Sequence, residues 1–144
     1  MHVRETAPQL EEAYVETGQV RYIFRPIFFD ARTLTAAEAL YCAGEQGKFW
    51  EMHDWLFAYV EAWYYAKDAW FLVEQSSADV GLDAAALEQC LREGRYGDQV
   101  KGFIQDAVER GITGTPTFLI NDRLLVGAYP FDMFRQVIEE EMAQ

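Results

Sequence analysis

Cysteine is scarce. Only Cys42 and Cys90 occur, so the protein is no disulfide-dense scaffold, and the two stand too far apart to make a Cys-x-x-Cys pair. The two histidines, His2 and His53, show no ligand-like spacing to other donors, so neither a metal nor another cofactor is expected. Positive charge is short as well: 12 Lys and Arg stand against 24 Asp and Glu, a net charge of -12. Nucleic-acid phosphates require clustered cations, which excludes nucleic acid as a partner. No apolar run approaches the roughly 18 residues of a membrane-spanning helix. No export signal is visible, and neither repeats nor low-complexity linkers occur.

What is present is apolar. Hydrophobic residues make up 51% of the 144 and aromatic residues 15%, enough for one domain with a real core. Residues 3–17 carry a helical stripe of Val3, Leu10, Ala13 and Tyr14, and Met1 and His2 read as part of the same element. Pro8 either kinks this helix or sits in its first turn, and Gly18 stops it. Val20-Arg21-Tyr22-Ile23-Phe24 is β-rich and bounded by Pro26, which predicts a strand.

From about Thr35 to Tyr65 the period is helical, with a break at Gly44-Glu45-Gln46-Gly47. Phe49, Met52, His53, Leu56, Phe57, Val60 and Trp63 stripe the second piece. Ser76, Ser77 and Gly81 predict another break, and Asp83 is a candidate N-cap for a helix running to Arg92. Tyr96, Val100, Phe103, Ile104, Ala107 and Val108 stripe a helix that ends at Gly111. Strand 117–120, an Asn121-Asp122 turn and strand 124–126 follow, then a last helix begun by Pro130 and striped by Phe131, Phe134, Val137 and Ile138. The acidic run 139–141 reads as a solvated helix face.

The organising stretch is Gly111-Ile112-Thr113-Gly114-Thr115-Pro116-Thr117-Phe118-Leu119-Ile120-Asn121. Pro116 lacks an N–H and biases Thr115 toward extended backbone, so it must start a strand rather than sit inside one. Other segments fit the same frame: Pro8-Gln9-Leu10, Val20-Arg21-Tyr22-Ile23-Phe24-Arg25, Gln46-Gly47-Lys48-Phe49-Trp50-Glu51-Met52-His53-Asp54 and Gly127-Ala128-Tyr129-Pro130. In order and register these motifs resemble the DsbA-like branch of the thioredoxin superfamily, nearly end to end.

The resemblance implies an α/β, truncated thioredoxin-like fold. Residues 1–34 and 95–144 would form its incomplete core, and 35–94 an inserted helical subdomain covering the strands. The insertion falls between the strand at 20–25 and the helix at 96–110. The resemblance also implies that Thr115–Pro116 is cis, and that Gly114, Thr115 and Pro116 bind substrate. In the family this edge faces a Cys-x-x-Cys at a helix N-terminus, where the dipole and free N–H groups favour the attacking thiolate. By register, that motif and the strand before it fall upstream of Met1. The first core strand is therefore expected to be missing, no catalytic residue is assigned, and these residues are expected to be inactive by themselves. The missing strand would leave 20–25 and 117–120 with open edges, filled by rearrangement or by another polypeptide, as in a homo-oligomer.

For the two cysteines, two readings stay open. They are separate buried thiols, or a structural bridge of the kind some relatives carry, worth about 4 kcal/mol in the loop-entropy model. His53 reads as a hydrogen-bonded core or cap residue. Among the aromatics Trp50, Trp55, Trp63, Tyr64, Tyr65, Trp70 and Phe71, most are expected in the core, and Trp55, Tyr59, Tyr65 and Trp70 could form a partner surface.

The function implied is thiol–disulfide exchange with protein or peptide thiols and disulfides. The alternatives are a non-catalytic peptide-binding or chaperone-like module, and a glutathione-dependent transferase or isomerase of the same superfamily. Relatives work outside the cytoplasm; the compartment of this protein is undecided.

Overall fold

The computed structural model describes residues 2–144. By contact they divide into two compact units, one running up to Phe24 and resuming at Arg110–Gln144, the other Arg25–Glu109. The expected insertion 35–94 lies wholly inside the second.

The first unit opens with a helical run, α1, built of wide turns at His2–Thr6 and Glu11–Val15 around an α-helical turn at Ala7–Leu10. Pro8 sits at the start of that turn, where its missing N–H costs nothing. Met1 lies outside the described residues. Gly18 ends the run at φ 74°, and the Tyr14 carbonyl accepts from both Gln19 and Val20 N–H at 3.0 Å. Towards the other end of the sequence, β1 (Thr117–Ile120) and β2 (Arg123–Val126) pair antiparallel, with Thr117 opposite Val126 and Leu119 opposite Leu124. Asn121 takes φ 50° in the turn, a conformation Asn tolerates. A helix, Phe131–Met142, closes the unit behind Pro130 at its N-cap.

Side-chain alternation then builds the core. Phe118, Ile120 and Leu125 pack with Val20 and Phe131 against buried Leu10, Tyr14, Phe134 and Ile138. The Phe118 and Phe134 rings meet edge to face at 4.6 Å. The other hairpin face, with Leu119, Leu124 and Val126, is exposed.

The strand expected at 20–24 does not form. These residues join no ladder, since the two-stranded β1–β2 pair is the whole sheet among the described residues. Extended shape remains: Val20, Tyr22 and Phe24 are half-buried while Arg21 and Ile23 face out. Period-2 patterning fixes which side chains point inward, but a strand also needs a neighbouring strand at ladder distance. Rearrangement within these residues does not add a strand to the sheet.

In the second unit the first long helix, α2 (Ala31–Glu45), starts earlier than the apolar period suggested. Its start is a capping box. The Asp30 carboxylate accepts from Thr33 N–H, and Thr33 Oγ1 accepts from Asp30 N–H. Beyond Gly47, at φ 72°, come α3 (Phe49–Ala58), α4 (Val60–Tyr64), α5 (Trp70–Val80), α6 (Ala84–Glu93) and α7 (Gly97–Glu109). Asp83 caps α6 by accepting from Ala86 N–H, as expected. Ser76 and Ser77 do not break α5; both are buried inside it, and the stop is Gly81 at φ 78°.

The α3 stripe also ends early. Phe57, still inside α3, is exposed, and so is Val60, where the chain restarts as α4 after the helix closes at Ala58. Trp55, by contrast, belongs to the core, its indole N–H donating to Asp79 at 2.8 Å. Tyr59, Tyr65 and Trp70 are exposed.

Buried Ala36, Ala37, Ala39 and Ala43 let neighbours approach α2 closely, and Cys42 among them is bonded to Cys90 of α6 with Cα atoms 5.9 Å apart. Both cysteines are almost fully buried, so the structural bridge is the reading that holds. Replacing both by Ala should lower stability by about 2–4 kcal/mol through the added freedom of the unfolded state. Urea midpoints with and without the double substitution check this; an unchanged midpoint would contradict it.

Candidate functional site

After Gly111 (φ 70°) the backbone passes through an irregular segment into β1. Gly114, Thr115 and Pro116 are all exposed, and the Thr115–Pro116 peptide is cis. Two bonds hold the segment. Thr117 Oγ1 donates to the Gly114 carbonyl at 2.6 Å, and Gly127 N–H donates to the Pro116 carbonyl at 2.9 Å, one step beyond the Thr117–Val126 pair. Gly127 does so at φ 111°, which a side chain would strain, and the Tyr129 ring lies 3.7 Å from where its Cβ would stand. Thr115 enters no hydrogen bond through its own N–H or C=O among the described residues. Chemically the segment is a short length of exposed backbone with a free donor and acceptor, at the mouth of a hairpin anchored below.

The anchoring is aromatic. The His2 ring lies 4.4 Å from Phe118 and 5.3 Å from Phe134, and its Nε2 stands 3.4 Å from the Tyr22 hydroxyl. Burial raises the Tyr22 phenol above its usual range, so it stays protonated at neutral pH. His2 thereby joins the extended 20–24 run to β1.

The acidic run 139–141 is more than a solvated face. Tyr14 donates to Glu139 at 3.2 Å, Arg123 of β2 pairs with Glu140, and Arg123 Nε reaches Glu141 at 3.8 Å. The hydrogen bond from Arg123 leads the effects that hold the Glu140 carboxyl below its ordinary value of 4.5. A depressed carboxylate stabilises the fold above its unfolded pKa and loses that contribution as pH falls through its folded pKa. The Arg123→Ala variant should therefore lose less stability than the unaltered protein between about pH 6 and pH 3. Urea midpoints at the two pH values measure this, and equal losses would refute it.

The other residues singled out lie in the second unit. Cys42 and Cys90, locked in their buried bridge, present no thiolate. His53 is buried, with Nδ1 at 2.9 Å from Asp54 and its ring between Trp50 and Phe57. The role of Gly127 is what sequence reasoning misses. The motif Gly127-Ala128-Tyr129-Pro130 is visible there; that its first N–H anchors Pro116 is not.

A helix, a cis X-Pro bond opening an antiparallel hairpin, and a closing helix behind it define a thioredoxin-like class with a helical second unit. The comparisons agree. The family model described as Thioredoxin matches residues 2–140. The crystal structure of Wolbachia pipientis alpha-DsbA1 superposes with a TM-score of 0.83 at 26% identity, covering 96% of this protein and 76% of that one. A putative protein-disulfide oxidoreductase of Rickettsia conorii is 21% identical over 140 residues, 95% of this protein and 50% of that one. The Na(+)/H(+) antiporter NhaA 3 of Salinispora tropica is 30% identical over 142 residues, 96% of the residues here but 21% of the antiporter. The protein thus spans between about a fifth and a half of these curated relatives' length. It belongs to the thioredoxin family, as a DsbA-like member.

Proposed function

We propose that this protein serves thiol–disulfide exchange on protein cysteines, with Gly114, Thr115 and Pro116 as the ledge on which an extended substrate segment docks. The observation that carries the reading is the exposed Thr115 backbone, its N–H and C=O uncommitted while the flanking residues are held by Gly127 and Thr117. An extended peptide adds to such an edge through main-chain bonds. The likeness to the putative protein-disulfide oxidoreductase of Rickettsia conorii and to Wolbachia alpha-DsbA1 supports the exchange chemistry; the antiporter's name does not bear on it.

The 144 residues by themselves carry no thiolate nucleophile, because both cysteines are joined and buried. The test pairs binding with turnover. In amide NMR of the intact protein, a cysteine-containing peptide should shift the Thr115 N–H and its β1 neighbours, while insulin reduction by the same protein stays at background. Shifts absent from 114–118 would overturn the ledge, and a reduction rate abolished by removing Cys42 and Cys90 would overturn the inactive-bridge reading.

The same edge bears on assembly. Among the described residues β1 pairs with β2 and with no other strand, so its second side is open. Such edges recruit strands. The proposal includes a homo-oligomer in which a strand of a second copy covers the open β1 edge. Sedimentation equilibrium across a hundredfold concentration range should show it; a monomer throughout would refute it.

A further inference from the structure

A second cluster of polar side chains, in the helical unit, has no part in the ledge. At the start of α2 an open cleft of about 400 Å³ is lined by Asp30, Ala31, Arg32, Tyr64 and Tyr65. Its parts are held in place. The Arg32 Nη1 group donates to the Tyr64 carbonyl at 2.6 Å and the Ala66 carbonyl at 2.5 Å, closing the C-terminal end of α4. Asp30 is engaged at both oxygens: Oδ1 accepts from Thr33 N–H at 2.8 Å and Thr33 Oγ1–H at 2.9 Å, and Oδ2 accepts from the Tyr64 hydroxyl at 2.7 Å.

This leaves an asymmetry. A guanidinium carries five donors in a rigid plane, and only those on Nη1 are used. The Nε–H and Nη2–H edge, a side-on fork, has no partner among the described residues. In the same cleft Tyr65 is 79% exposed, its ring edge-on to Tyr64 at 5.2 Å. Anchoring through Nη1 removes most of the rotamer freedom that a free arginine would lose on binding. The fork matches the two oxygens of a carboxylate, and the exposed ring offers an apolar wall to the group next to it. A phosphate would fit the fork too. It brings about two charges to a protein of net charge -12, with the Asp30 carboxylate in the same cleft, so the singly charged group is favoured.

We propose that this cleft binds a polypeptide carboxylate, either the terminal one or that of an Asp or Glu side chain, through the Nε/Nη2 edge of Arg32, with the residue beside it against Tyr65. The site goes beyond the thiol-exchange reading and stands in the other unit, so either can fail without the other. Arginine Nε–H NMR of the intact protein tests it, with N-acetyl-tryptophan, its amide, an N-acetyl-tryptophanyl-glutamate α-amide (side-chain carboxylate free) and inorganic phosphate as probes. A saturable shift of the Arg32 Nε–H is expected with at least one carboxylate probe, the tighter-binding of the two naming the source, and none with the amide. Arg32→Lys keeps the charge but loses both the planar fork and the Nε–H signal; its affinity, followed by backbone amide shifts of the cleft residues, should fall about tenfold. Tyr65→Ala, at an exposed position, should weaken binding several-fold without unfolding the protein. No saturable shift with either carboxylate, an equal shift with the amide, tighter binding of phosphate, or undiminished affinity in Arg32→Lys would each overturn the assignment.

Discussion

The first unit depends on one requirement: a hairpin of two four-residue strands is too small to stand in water and must bury one face. Phe118, Ile120 and Leu125 do this against Leu10, Tyr14, Phe134 and Ile138. Register follows from that burial. A slip of one residue would turn Phe118 and Ile120 outward and bring Leu119 in, exchanging a complementary aromatic contact for a poorly fitting one. The segment at 114–116, the proposed ledge, inherits this register, because the Gly127 bond to Pro116 continues the ladder beyond the Thr117–Val126 pair. The exposed ledge is therefore positioned by side chains that never touch it.

How much of this is legible in the sequence varies with the kind of signal. The hairpin is legible because its evidence is local: a proline that cannot lie inside a strand, two short β-rich apolar runs and an Asn-Asp turn between them. The cap at Asp83 is legible for the same reason. The run 20–24 is not, since alternation reports which way side chains face and says nothing about whether a second strand runs alongside. The start of α2 carries a signal that apolar periodicity passes over, the Asp30-x-x-Thr33 box, because Ala31-Arg32-Thr33 adds nothing to the stripe. Ser76 and Ser77 mislead because two adjacent serines look like a loop, whereas tertiary packing outweighs their weak helix preference. For the candidate site, the ledge residues can be named from the motif, but not the bonds that leave Thr115 free between two anchored neighbours.

The helical unit shows why aromatic density alone does not separate core from surface. Trp55 and Trp63 are both buried, and each places its indole N–H on an acceptor, Asp79 and the Leu56 carbonyl respectively. A buried indole without such a partner would carry the cost of an unmade hydrogen bond. The decisive information is thus the position of an acceptor 24 residues away for Trp55 and 7 residues away for Trp63, which no stripe can encode. The bridge between Cys42 and Cys90 works at longer range still. Alanines on one face of α2 bring α6 close enough for the sulfurs to meet, so the small residues matter as much as the cysteines.

Charge acts on a smaller scale, and that scale decides what it does. Arg25 pairs with Asp106, Arg92 with Glu88, Arg95 with Glu45 and Glu93, and Arg123 with Glu140 and Glu141. These partners are largely solvated, so each pair contributes at most about 1 kcal/mol and together they cannot account for the fold. Their value is positional: Arg123 ties the hairpin to the closing helix, and Arg95 ties the end of α6 to that of α2. Arg32 departs from this pattern. It uses its anchored nitrogen on neutral carbonyls and, among the described residues, leaves its Nε/Nη2 edge without a hydrogen-bond partner, in a molecule of net charge -12. An arginine held in this way is poised for an anion from outside the molecule, and the surrounding field decides that the anion carries one charge rather than two.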